Sequence, residues 1–470
     1  MDAFADVLGR AGAWCGQNKY LGAIKNAFQN YMPATIAGAI GVLWTNVLVN
    51  SGTGLGALWS GIMVLEFLNP IFSALQYATI SCISIGIVML VAQEIGEANG
   101  ERGTAYPAVL GFLCWLVVTP TSWLGADLAV TMAEINPETG ANITKTVGEL
   151  LANTPGLKDG INSISGYTGI LSSYTAATGL FTALIIGILG LEIYGFLRKQ
   201  DALKIKMPEQ VPPGVSRAFE VLIPTFITLV IVGAIGEALH ALSGYYVNDL
   251  IYNYVQAPLN SIIGENIFAV MILYVIISLF WLVGIHGNNM LDAIKQAIFK
   301  PLLYTNLAIM NGEQQGEMHT INLVMMQMFA EWGGSGVTLG LVIAIFIFGK
   351  REDNRAIATL SIVPGLFNIN ETVTFGIPLV LNPILGIPFI LAPVVCVFIG
   401  WLLIEIGFCA PIYIEVPWTM PPVIFGFVAT GGSWTGAVSQ LIVFVVATLI
   451  YIPFVIFYER YQNKQAAAAE

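Results

Sequence analysis

Phe367 to Pro383 reads FNINETVTFGIPLVLNP and leads into a run, Thr372 to Ile404, that contains no Asp, Glu, Lys, Arg or His. A helix crosses a bilayer with about 20 apolar residues, and this run supplies more. One acid, Glu371, stands at its lip, with Asn368 and Asn370 before it and Asn382 beyond. A carboxylate carried to the bilayer centre costs about 2.5 to 3.5 kcal/mol, so chains keep one where it faces a partner, a cavity or a substrate. The amides beside it both donate and accept, which suits a hydroxyl-rich ligand. A second reading stands beside the first: Glu371 lies at the water interface and the asparagines cap helices.

The rest of the chain has the same character. Of its 470 residues 56% are hydrophobic and 10% charged, against about 25% charged in a soluble domain. With a mean hydropathy of +0.77, the composition specifies an all-α polytopic membrane protein, and about ten spans fit the length. Forty-nine glycines and 22 prolines argue for closely packed and often broken helices. The cysteines, Cys15, Cys82, Cys114, Cys396 and Cys409, form no CxxC pair, and the three histidines do not group. Neither a disulfide framework nor a metal cage is expected, and no cofactor is implied. A net charge of −11 makes nucleic acid an improbable partner. The opening MDAFADVLGR lacks the basic start of a cleavable signal.

Residues 1–30 are mixed in charge and read as a surface segment: an amphipathic helix, a frayed terminus or a docking arm. No charge occurs from Ala27 to Leu65, where Gly52, Gly54 and Gly56 mark a turn, and Phe67 to Gln93 is uncharged again. A span over Ala105 to Ala126 precedes a polar, turn-rich segment reaching Gly166, and Thr168 to Leu191 is a clean span. These spans form a first bundle over 31–197. Arg198 to Glu220 carries five Lys or Arg with Pro208, Pro212 and Pro213. It is the best internal boundary, and positive-inside reasoning places it in the cytoplasm. The second unit covers 221–458, followed by a polar tail over 459–470. KREDNR, Lys350 to Arg355, is a second basic loop of cytoplasmic character. Between the two loops the full spans do not sum to an even number. Either a half-span in Gly287 to Ala330 crosses, or one loop misleads.

Four polar clusters interrupt the apolar second half. GIHGNN, Gly284 to Asn289, places His286 between glycines at a helix end. An imidazole there can accept a proton or bond a hydroxyl near neutral pH; a histidine satisfied by a backbone carbonyl is the plainer alternative. AEWGGSG spans Ala330 to Gly336, NINE ends on Glu371, and IEVPWTMPP, Ile414 to Pro422, sets Trp418 between prolines. An aromatic ring covering a sugar's apolar face, with acids taking its hydroxyls, is a common way to grip a saccharide. Trp418 and Trp332 are also suited to anchor at the membrane interface. Glu66 and Glu192, inside the first bundle, match no motif and read as packing or interface acids.

GIHGNN, then EWGGSG, then NINETVTFGIPLVLNP resembles the lactose/cellobiose/diacetylchitobiose branch of phosphotransferase-system permeases, the membrane EIIC component. The resemblance covers nearly the whole chain; Thr372 departs from it where many relatives have proline. It implies an elevator-type EIIC fold of the glucose superfamily, with about ten transmembrane helices and two re-entrant hairpins. It also implies a homodimer joined through the first bundle, both termini cytoplasmic, and a sugar site in the second half. Implied partners are a β-linked disaccharide, with cellobiose first and diacetylchitobiose, lactose or gentiobiose behind it, and a cytoplasmic EIIB phosphocysteine fed by EIIA and HPr. The short tail after Tyr458 leads to the expectation of a separate EIIB. His286 and Glu371 are expected to orient the reacting hydroxyl and take its proton. Glu331 and Trp418 are expected to hold the rings, with Asn288, Asn289, Asn370 and Trp332 as further contacts. An ion-coupled secondary transporter is the main rival, since broken helices with intramembrane Glu and Asn suit it equally well. A non-transporting sugar receptor is a weaker one.

Overall fold

The computed structural model describes residues 2–51, 55–56, 59–123, 129–135, 142–146, 167–208 and 210–469. Gly52 and Gly54 of the expected turn, and most of the polar segment before Gly166, lie outside them. The described chain is overwhelmingly helical. Six helices are long and apolar enough to cross a membrane, or up to eight spans with two bent pairs included.

α1 (Asp2–Gln17) ends at Asn18, whose side chain accepts from the N–H groups of Tyr20 and Leu21 at 3.0 Å and starts α2 (Lys19–Leu43). Lys19 to Gln29, which fall in the surface segment expected over 1–30, belong to this long helix. α3 (Asn69–Gln76) and α4 (Ile83–Ala98) follow, then α5 (Tyr106–Val117) and α6 (Leu180–Arg198). α4 is the hub of this half, packed on α2, α5 and α6. Small residues permit the approach: a Cβ on Gly111 would stand 2.2 Å from that of Ala92. Between α5 and α6 the backbone forms two antiparallel ribbons, β1 (Ser122–Trp123) with β4 (Tyr167–Thr168) and β2 (Ala129–Ile135) with β3 (Asn142–Thr146). These short ribbons lie within an otherwise helical chain.

Charges cluster at one end of this half. Buried Glu101 takes Arg198 at 2.6 Å, Arg217 at 3.2 Å and the Tyr194 hydroxyl at 3.0 Å. Glu192 holds Lys19 at 2.5 Å, whereas Glu66 is exposed.

The second half begins with α7 (Pro213–Ser243), which stops at Gly244 in the left-handed conformation, φ 76°. α8 (Ile267–Leu282), α9 (Gly287–Met310), α10 (Leu323–Ala330), α11 (Thr338–Phe348) and α12 (Glu352–Leu366) follow. The last elements are α13 (Glu371–Gly376), α14 (Gly386–Glu405), α15 (Ile424–Ala429) and α16 (Trp434–Ala469). α14 packs on α8, α10 and α16, around buried Phe329, Phe389 and Tyr451.

α9 is one continuous helix through the region where no full-length apolar run was expected. It lies along α2 with the same polarity, Lys300 Nζ standing 5.5 Å from the Phe28 ring centre and Asn311 facing Asn46 at 3.5 Å. Its 24 residues rise about 36 Å, enough for a crossing. Lys295 and Lys300 break its hydropathy, yet both are buried against acids, at 2.8 Å from Glu331 and 2.9 Å from Glu415. A window average treats such residues as solvated; pairing inside the fold makes them compatible with burial.

Candidate functional site

The four polar clusters converge on one cavity of about 550 Å³. His286, Asn288 and Asn289 come from the start of α9, Glu331 from the break after α10, Asn370 and Glu371 from the start of α13, and Trp418 from the loop before α15. α2, far away in sequence, closes one side with Gln29 and Met32. The volume lies within the range of small-ligand pockets.

Each cluster is held by its own polar side chains. Asn368 sits at φ 61°, a conformation Asn tolerates better than most residues. Its Oδ1 accepts from Gly333 N–H at 3.0 Å, and its Nδ2 donates to the Trp418 and Met420 carbonyls at 2.6 and 3.3 Å. One amide thus ties three of the clusters together. Asn370 is buried and donates to the Ser335 carbonyl at 3.1 Å. The GGSG break packs tightly: a Cβ on Gly336, at φ 79°, would fall 2.3 Å from the Phe389 ring.

His286 caps α9, its Nδ1 accepting from Asn289 N–H at 3.2 Å. That bond leaves Nε2 as the N–H of a neutral ring, and Nε2 faces Glu371 Oε1 at 3.8 Å. The Trp281 ring lies against the imidazole, centres 4.4 Å apart. Both members of the pair keep solvent access, at 36% and 47% side-chain exposure, as groups that meet a diffusing substrate must.

Opposite them, Glu331 Oε1 accepts from Lys295 Nζ at 2.8 Å and from the Tyr274 hydroxyl at 3.0 Å. Among the described residues no hydrogen bond reaches Oε2. Lys295 also donates to Asn288 Oδ1 at 3.2 Å, and Asn288 Nδ2 donates to Ser335 Oγ at 2.9 Å. The chain Tyr274–Glu331–Lys295–Asn288–Ser335 forms a fixed polar wall, with acceptors and donors alternating along it. Such a wall can bind a polyol through directed hydrogen bonds.

Of the expected residues, His286, Asn288, Asn289, Glu331, Asn370, Glu371 and Trp418 line this cavity. Trp332 does not. Its ring is buried, stacks on Phe444 at 4.8 Å and donates from Nε1 to the Met328 carbonyl at 2.6 Å. The backbone turn at Gly333 and Gly334 directs Glu331 inward and sends the neighbouring indole into the core. Lys295, Asp292, Gln327 and Ser335 line the cavity and were not anticipated. A signal for two of them was present. Asn288, Asp292 and Lys295 recur at i, i+4 and i+7, a polar stripe on one helix face.

Comparison with known proteins identifies the family. The family model described as "Phosphotransferase system, EIIC" matches residues 25–393. A cellobiose-specific EIIC component of Lactococcus lactis is 31% identical, covering 94% of this chain and 94% of its own. An oligo-beta-mannoside-specific EIIC component of Bacillus subtilis is 30% identical over 93% of this chain and 89% of its own. In structure, the transporter ChbC, the IIC component of an N,N'-diacetylchitobiose-specific phosphotransferase system, superposes with a TM-score of 0.80 at 28% identity over 97% of both chains. With the family model matched over most of the chain and relatives aligned along nearly its whole length, this chain, a multi-pass bacterial membrane protein, belongs to the phosphotransferase-system EIIC family.

Proposed function

We propose that this permease binds a β-linked disaccharide, cellobiose before diacetylchitobiose, lactose or gentiobiose, and moves it inward coupled to phosphorylation by phospho-EIIB. The observation that carries the reading is the His286–Glu371 pair at 3.8 Å on the wall of a polar cavity. A sugar hydroxyl placed between them attacks the phosphorus of the phosphocysteine. The new P–O bond forms as P–S breaks, the thiolate leaves, and the hydroxyl proton passes to the pair. Positioning the hydroxyl in line and accepting its proton are the two tasks the permease must perform. Trp418 covers a ring face, and Glu331, Asn288, Asn289 and Asn370 bond the other hydroxyls.

The family provides the sugar and the phosphorylation chain of EIIB, EIIA and HPr as partners. We extend this to a homodimer built through the first bundle, ten spans with two re-entrant hairpins, and elevator-like movement of the second half. The domain division we propose is 1–30, 31–197, 198–220, 221–458 and 459–470. In this role the chain is the membrane component of a sugar phosphotransferase.

The test uses proteoliposomes and labelled cellobiose, with phospho-EIIB inside or with ion gradients alone. Sugar phosphate should accumulate only with phospho-EIIB. Glu371→Gln and His286→Ala should bind sugar and lose phosphorylation by about 10²- to 10⁴-fold, the range of general acid–base catalysis. Uptake driven by an Na⁺ or H⁺ gradient alone would refute the coupling.

A further inference from the structure

α9 carries a second cavity at its other end. Where His286 to Lys295 line the first, Tyr304 and Asn311 line one of about 370 Å³ together with Gln76, Tyr174, Asn248 and Tyr252. Asn289 and Ala308, one on each cavity, are separated by a rise on the order of 28 Å along the helix.

What lies between them is closed. Lys300 Nζ pairs with Glu415 Oε1 at 2.9 Å, the Tyr304 hydroxyl bonds Glu415 Oε2, and Thr35 of α2 reaches Oε1 at 3.4 Å. Lys300 and Glu415 keep only 3% and 12% side-chain exposure. Tyr304 is thus at once a wall of the second cavity and a member of this ion cluster.

The second cavity has the chemistry of a neutral sugar site. Tyr174 and Tyr252 offer ring surface, and Gln76 and Asn311 offer amides that donate and accept. Asn248 is 2% exposed, spends its Nδ2 on Thr119 at 3.1 Å, and has no partner for Oδ1 among the described residues. The charged residues lining it, Asp249 and Glu313, are both acids. The first cavity holds three acids, Asp292, Glu331 and Glu371, but sets the cation Lys295 and the titratable His286 among them. A sugar fits both; a sugar phosphate is repelled by the second.

Its sidedness follows from its lining. Ser172 to Thr178 follow the polar segment after α5, and Asn248 to Tyr252 follow α7, both at the ends opposite Arg198 and Arg217. With the basic linker cytoplasmic, this cavity opens outward.

We propose that the second cavity is an outer capture site for the unphosphorylated disaccharide, separated from the phosphorylation site by the Lys300–Glu415–Tyr304 cluster. It rests on the permease reading above and adds a second saccharide site to it.

Equilibrium binding of labelled cellobiose, diacetylchitobiose, lactose and gentiobiose to the full chain selects the probe. Uptake of that sugar into right-side-out vesicles is then compared for wild type, Tyr252→Ala and Gln76→Ala. Both variants should raise the half-saturating external concentration at least five-fold at unchanged maximal rate. Phosphorylation by phospho-EIIB in detergent, where the sugar reaches the first cavity directly, should keep its wild-type KM. At sugar concentrations well below the weakened affinity of the first cavity, residual binding to Trp418→Ala should fall at least five-fold in Trp418→Ala/Tyr252→Ala and resist competition by the sugar phosphate. Wild-type half-saturation in both uptake variants, or competition by sugar phosphate for the residual site, would overturn the proposal. Trp418→Ala binding like wild type would instead overturn the assignment of the first cavity. If none of the four sugars binds the wild-type chain, both readings fall.

Discussion

Replacing Lys295 by Met isolates the residue that the site depends on and that motif reading overlooked. Lys295 Nζ lies 2.8 Å from Glu331 Oε1, and the two side chains are 4% and 13% exposed. Removing one member of a buried pair costs about 3 to 5 kcal/mol, because the other charge is left without compensation. Here the Tyr274 hydroxyl remains as a donor at 3.0 Å, and the cavity admits water to Glu331, so the lower limit of about 3 kcal/mol applies. That corresponds to about 100-fold in the folding equilibrium. Asn288 loses its 3.2 Å contact as well, so sugar affinity should fall with stability. The assay is unfolding in detergent, followed by the KM for sugar phosphorylation. Adding Glu331→Gln to Lys295→Met removes the stranded charge and should recover about 2 kcal/mol, a coupling within the range seen for contacting residues. The reasoning is refuted if Lys295→Met stays within about 0.5 kcal/mol of wild type, the range of an ordinary surface change. A double variant no more stable than the single one refutes it equally.

Asn368→Ala removes three hydrogen bonds that join the GGSG, NINE and WTMPP loops and places a Cβ residue at φ 61°. It should lower stability by about 1 to 3 kcal/mol, whereas Asn368→Gly should recover the backbone part of the loss while leaving sugar binding weak; unfolding and binding curves separate the two. Gly336→Ala drives a methyl into the Phe389 ring, and an overpacking cost of about 1 to 3 kcal/mol, added to a left-handed φ, should reduce the yield of folded protein on size exclusion. Trp418→Ala should raise the sugar KM about tenfold, equivalent to about 1.4 kcal/mol of lost ring contact, with little change in maximal phosphorylation rate. Lys300→Met and Glu415→Gln should each destabilise more than the two together, measured by the same unfolding assay, because only the single changes strand a buried charge.

The amino-acid sequence by itself determined the class of this protein and the segments that build its site. Hydrophobicity is a sum over residues, so 56% apolar content specifies a membrane chain whatever the packing. Polar residues that interrupt an apolar run cost free energy wherever they are not partnered; His286, Glu331 and Glu371 therefore stood out before any contact was known. Tertiary structure decided what depends on direction. Whether α9 is a full helix turned on Lys295 and Lys300 finding Glu331 and Glu415, partners 36 and 115 positions away. The side on which Trp332 emerges turned on its stacking with Phe444, 112 positions away, which local composition does not encode. The closure of the cavity by Gln29 and Met32, and the convergence of the Gly333 turn and the Trp418 loop on Asn368, are long-range pairings. Their stability arises only once the chain is folded, because each hydrogen bond there replaces one to water at nearly equal strength, and geometry alone selects which are made.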